Sequence, residues 1–87
     1  MILIVKLNDR KPLAIQTKGA LDALTRVQSI LDLLGSGLKP SEVHTFIEED
    51  HHAKPAPAKS KLPLLILTLK LTKAGELRTL HLSQRTT

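Results

Sequence analysis

A short apolar run opens this chain, apolar positions recur with a helical period in its middle, and apolar and polar positions alternate toward its end. Met1 to Leu7 is short, apolar and rich in β-branched residues, which predicts a strand. Asn8-Asp9-Arg10-Lys11-Pro12 is turn chemistry, and Leu13 to Thr17 reads as the returning strand. Setting Leu7 opposite Leu13 and Val5 opposite Ile15 makes one face of this hairpin continuously apolar, so that register is expected.

From Lys18 the period lengthens. Ala20, Ala23, Val27, Ile30 and Leu34 share one stripe, flanked by Leu21, Leu24 and Leu31, while Asp22, Arg26, Gln28, Ser29 and Asp32 fall elsewhere. This is the pattern of an amphipathic helix. Thr17 suits its N-cap, Asp22 and Arg26 are spaced to pair along its exposed side, and Gly35-Ser36-Gly37 ends it. A second, shorter helix is expected over Lys39 to Asp50. Pro40 fits its first position, Leu38 and Val43 are placed as a hydrophobic staple, and Val43, Phe46 and Ile47 form one face. Val43 to Ile47 would also suit a strand. The acidic run Glu48-Glu49-Asp50 would stand at the unfavourable end of the helix dipole.

Residues 51–61 have no apolar period and are rich in Pro, Ala and Lys, which predicts a mobile connection. Beyond it, Leu65, Leu67, Leu69 and Leu71 alternate with Thr68, Lys70 and Thr72. A turn at Lys73-Ala74-Gly75-Glu76 leads into a return strand from Leu77 to Ser83. Pairing Leu69 with Leu80 and Leu67 with Leu82 gathers the leucines, whereas a slip of one residue would oppose them to Thr79 and His81. The expected fold is therefore α+β, a single domain over 1–87 in the order β-β-α-(α)-β-β. It is a small antiparallel sheet of two hairpins with a long amphipathic helix and a short second one on one face.

Composition narrows the chemistry. The 87 residues include no Cys, Trp or Tyr and a single Phe, Phe46. Disulfides and thiolate metal sites are excluded, and stacking platforms for single-stranded nucleic acid are missing. A core this small is marginal unaided, which favours a homodimer. No apolar run approaches the ~20 residues of a membrane span, and the first residues lack the basic leader and apolar length of a signal peptide. A cytoplasmic protein is expected. Six basic residues face seven acidic ones over 1–50, but seven face Glu76 alone over 51–87. The basic character belongs to the C-terminal part and permits an anionic partner there.

Residue types for catalysis do not assemble into a known pattern. No Ser sits in a nucleophile elbow, and Gly35-Ser36-Gly37 lacks the spacing of a phosphate-binding loop. His44, Glu48 and His51 would share a helix face at metal-ligand spacing, yet an exposed polar face explains them as simply, and no metal or cofactor is expected. Glu48, Glu49 and Asp50 read as a solvated run or as an acidic contact surface for a partner. Leu64 and Ile66 lie on the strand face opposite the leucine row. With the sheet covered on one side only, they would stay exposed unless a partner covered them.

The segment 29–46 resembles a helix-turn-helix. Gly37 falls at the turn, Leu38 is the buried turn residue, and Val43 and Phe46 face inward. The resemblance implies duplex DNA contact by Lys39, Ser41, Glu42, His44 and Thr45, with Lys70, Lys73 and Arg78 on a hairpin wing touching phosphates. Leu33 stands where the motif usually has a small residue. The sequence thus leads to a non-enzymatic protein-interaction module, an inhibitor, adaptor or regulator of a larger protein partner. A double-stranded DNA-binding transcriptional regulator is the second expectation.

Overall fold

The structure is a computed structural model and describes residues 1–56 and 64–85. The chain forms β1 (Ile2–Leu7), β2 (Leu13–Gln16), α1 (Ala20–Leu34), α2 (Pro40–Asp50), β3 (Lys54–Pro55), β4 (Leu64–Leu71) and β5 (Leu77–Arg85). The five strands make one sheet in the order β3-β2-β1-β4-β5. The α+β class and the expected run of elements hold.

Two features of the sheet differ from the expectation. It is mixed, because the two hairpins meet along β1 and β4, which run parallel with Val5 beside Leu67 and Leu7 beside Leu69. The long connection through both helices makes a parallel junction feasible. The side-chain pattern explains why these two strands are central. Both are apolar on both faces, as buried strands are, so their union sets Ile4 beside Ile66 and Ile2 beside Leu64 on the far side of the sheet. The second difference is β3. The segment read as a connection over 51–61 begins inside the fold, with Ala53 buried and Lys54 and Pro55 paired to Ala14 and Leu13. The remainder of that segment from 57 onward lies outside the described residues.

The register of the first hairpin also differs. Val5 faces Leu13 and Leu3 faces Ile15, two residues away from the expected pairing. An even shift leaves every side chain on its original face, so the apolar pattern alone could not separate the two registers. Asn8 decides between them. Its side chain donates to the Leu71 carbonyl at 3.1 Å and accepts from the Leu71 N–H at 2.7 Å, in the left-handed conformation at φ 48°. Asn8 therefore carries the end of β1 along β4 rather than back toward β2, and the turn to β2 is longer. The second hairpin has the expected register, Leu67 with Leu82 and Leu69 with Leu80.

One face of the sheet carries Leu3, Val5, Leu7, Leu13, Ile15, Leu65, Leu67, Leu69 and Leu71, all buried. Ala23, Val27, Ile30 and Leu34 of α1 and Val43 and Ile47 of α2 join the same core. Both helices consequently lie on this face. Fully burying one such aliphatic side chain stabilises by about 1.5–3 kcal/mol. Ala20 and Leu21, read as part of the stripe or its flank, are exposed. The cap of α1 is Gly19 rather than Thr17, whose hydroxyl donates to the Met1 carbonyl at 2.6 Å instead. No side chain caps the helix, and Asp22 in its first turn instead accepts the N–H of Lys18, before the cap, at 2.9 Å.

Helix α2 begins at Pro40 and is a helix throughout, with Lys39 extended before it. Gly37, at φ 81°, makes the turn between the helices. That turn touches the β4–β5 turn. Gly75 has φ 87°, and a methyl group built on it would overlap the Leu38 carbonyl oxygen.

Candidate functional site

The two edges of the sheet are unlike. Strand β3 has only two residues, one of them a proline, and both are exposed. Short length, Lys and Pro are devices that blunt a sheet edge. Strand β5 has nine residues and no proline. Among the described residues no strand pairs with its outer side. It presents backbone N–H and C=O groups to any extended segment that arrives.

The side chains beside this edge are apolar where the core face continues. Leu80 and Leu82 stand opposite Leu69 and Leu67, so they point to the helix side of the sheet. There they remain 44% and 38% exposed, and Leu77 is 44% exposed, while Leu67 and Leu69 on the next strand are fully buried. The helices cover β4 and stop short of β5. The lie of α1 agrees with this. Its Arg26 reaches His51, which precedes β3, so that flank of the helix faces the β2–β3 side. Leu24 and Leu31 occupy the opposite flank of the helix. Leu24 is 48% exposed and Leu31 half-buried.

The far face of the sheet has a different character. Ile4 and Leu64 are buried there, and Ile2, Ala14 and Ile66 half-buried. Leu64, expected to be exposed without a partner, is therefore not a free apolar contact. Around these residues the exposed charges are Lys6, Lys54, Lys70 and Arg85, with His81, and among the described residues no acidic one shares the face. The carboxylates gather on the helical layer, where Asp22, Asp32, Glu42, Glu48, Glu49 and Asp50 outnumber Lys18, Arg26 and Lys39. The charge asymmetry of the sequence thus becomes one between layers.

The other candidate residues are dispersed. Glu48, Glu49 and Asp50 are exposed at the end of α2. Lys39 is exposed just before the same helix, Ser41 and Thr45 are exposed on it, and the Thr45 hydroxyl donates back to the Ser41 carbonyl at 3.0 Å. His44 turns toward the first hairpin, with Nε2 donating to the Lys11 carbonyl at 3.2 Å and Nδ1 3.1 Å from Glu48 Oε1. A cleft of about 590 Å³, open to solvent, lies beside it between Asn8–Lys11 and Pro40. Lys73 sits in the β4–β5 turn, which the Leu38–Gly75 contact brings to the α2 N-terminus, whereas Lys70 is on the far face of the sheet. Arg78 stands at the bulge opposite Leu71.

His51 does not converge with His44 and Glu48, and no metal-ligand cluster occurs among the described residues. Its side chain is buried, with Nδ1 3.0 Å from Arg26 Nη1. A guanidinium only donates, so Nδ1 accepts and the ring proton is on Nε2. Burial pushes the His51 pKa below the usual histidine value, the Asp50 carboxylate opposes this, and the Arg26 charge adds to the fall. For Asp22, the hydrogen bond from the Lys18 N–H is the main cause of a lowered pKa, opposed by desolvation and reinforced by Arg26, 3.6 Å away.

No family model matches the chain, and no curated protein or solved structure matches it. The β5 edge was missed as a site because the sequence gathers its leucines into a core row. Only the extent of the helical layer leaves them half-exposed.

Proposed function

We propose that this protein is a non-enzymatic protein-interaction module that binds an extended segment of its partner along β5. The observation that carries this reading is a nine-residue edge strand, free on its outer side among the described residues, flanked by the half-exposed Leu77, Leu80 and Leu82. Main-chain hydrogen bonds along the edge supply affinity, and alternate side chains supply specificity. Leucine side chains on one side of an added strand would rest against Leu80 and Leu82 and remove them from water.

Selection from a random library of linear peptides tests this. Retained peptides should alternate apolar with polar residues and lose binding to the double variant Leu80→Lys, Leu82→Lys. Peptides without alternation, or peptides blocked instead by Glu48→Lys and Glu49→Lys, would contradict the reading.

The basic residues of the C-terminal part motivate a second reading, a duplex DNA-binding regulator. The far face with Lys6, Lys54, Lys70 and Arg85 supports it. Helix α2 and Lys70 lie on opposite sides of the sheet, so a single straight duplex reaches one or the other. The leucine row has no use in phosphate binding, and for that reason the protein-binding reading stands first.

A further inference from the structure

Resting on the reading of β5 as a strand-accepting edge, we infer that its partner is a strand with alternating apolar and acidic residues, not a second copy of this chain. Charge complementarity selects this partner. An added strand would continue both faces of the sheet, so its residues alternate between the leucine side and the basic side. On the leucine side it meets Leu80 and Leu82. On the other side it meets Thr79, His81, Ser83 and Arg85, all on β5, with Lys70 one strand further in beside Thr79. Among the described residues no carboxylate side chain shares that face. Acidic side chains at alternate positions of the incoming strand would stand beside Arg85 and His81 and within the field of Lys70, and opposite charges directly across a strand pair attract.

A second copy fits this edge poorly. The pairing that sets Leu80 against the partner copy's Leu82 places the two-fold axis at His81 and the two imidazoles side by side. The continuous sheet would then carry two sets of Lys6, Lys54, Lys70 and Arg85 on one face with nothing to neutralise them. Like charges on neighbouring positions repel.

The test uses three fluorophore-labelled nine-residue peptides, alternating Val/Glu, Val/Thr and Val/Lys, titrated with the full chain at low and high salt. Fluorescence anisotropy reports binding. At low salt the Val/Glu peptide should bind about tenfold more tightly than Val/Thr, and Val/Lys more weakly still. High salt should narrow the gap, and Leu80→Lys should abolish binding of all three. The double reversal Lys70→Glu, Arg85→Glu, at exposed positions that leave the core intact, should favour Val/Lys instead. Equal binding of Val/Glu and Val/Thr to the wild-type chain would overturn the charge inference and leave the strand-accepting edge standing. No binding of any peptide would overturn both. A dimer that excludes the peptides, or duplex DNA binding that survives Leu80→Lys while Val/Glu fails to bind, would also overturn the inference.

Discussion

Gly75→Ala examines how the hairpin that carries the binding edge is fixed to the helical layer. Gly75 adopts φ 87°, and its missing side chain leaves room for the Leu38 carbonyl, whose carbon would be 3.2 Å from an added methyl and whose oxygen would overlap it. The neighbouring Gly37 is an internal control. It has a similar φ of 81°, but nothing lies within 4 Å of a methyl built there. Left-handed conformation alone costs an L-residue about 1–2 kcal/mol. Gly37→Ala should lose about that much. Gly75→Ala adds a clash against backbone, and overpacking of this kind costs about 1–3 kcal/mol more. In a domain of this size 1 kcal/mol corresponds to roughly 4–8 °C in Tm. Gly37→Ala should therefore lower Tm by about 4–16 °C and Gly75→Ala, at about 2–5 kcal/mol, by about 8–40 °C. Thermal unfolding followed by far-UV circular dichroism measures both, since the chain has no Trp or Tyr. Equal losses would refute the close approach of the two turns.

Asn8→Ala removes two hydrogen bonds to Leu71 and should cost about 1–3 kcal/mol in urea unfolding, with Asn8→Asp intermediate because it keeps the acceptor but loses the donor. Leu67→Ala should cost about 2–5 kcal/mol, as for a buried leucine, and Leu82→Ala well under half of that, because Leu82 is already 38% exposed. Comparable costs would mean that β5 is covered in solution. His51 is held below its ordinary pKa in the fold, so the unfolded chain takes up a proton first as pH falls. Its contribution to stability is complete above about 6.5, the ordinary histidine value, and is lost as pH drops from there toward the folded-state value. Urea midpoints measured from pH 8 to 5 should fall over that range, and His51→Gln should flatten the fall.

Much of the fold was legible because it rests on side-chain periods. The α1 stripe of Ala23, Val27, Ile30 and Leu34 and the pairing of Leu67 with Leu82 follow from apolar spacing alone. The first hairpin was harder, because a two-residue slip preserves both faces and the deciding contact, Asn8 with Leu71, joins residues far apart in sequence. The parallel β1–β4 junction and the short β3 are likewise long-range facts. Their local sequences hint at them only through the two-sided apolar character of β1 and β4. For the candidate site, the charge asymmetry was legible and the open β5 edge was not. Leu80 and Leu82 read as core residues in sequence, and only the limited reach of two helices over a five-stranded sheet leaves them at the surface. His44 shows the converse. It sits on the helix the sequence predicts, but its imidazole turns to the Lys11 carbonyl, a contact no helical period encodes.

On the proposed reading, β5 accepts a strand on its outer side. Backbone amide spectra of the ¹⁵N-labelled chain, recorded with and without the alternating Val/Glu peptide and followed by hydrogen exchange, test it most directly. The account predicts shifts concentrated between Leu77 and Arg85 and new protection at every second amide of that strand, those that point outward. Shifts confined to α2 and the Asn8–Lys11 turn, or unchanged exchange along β5 when the peptide is bound, would contradict it.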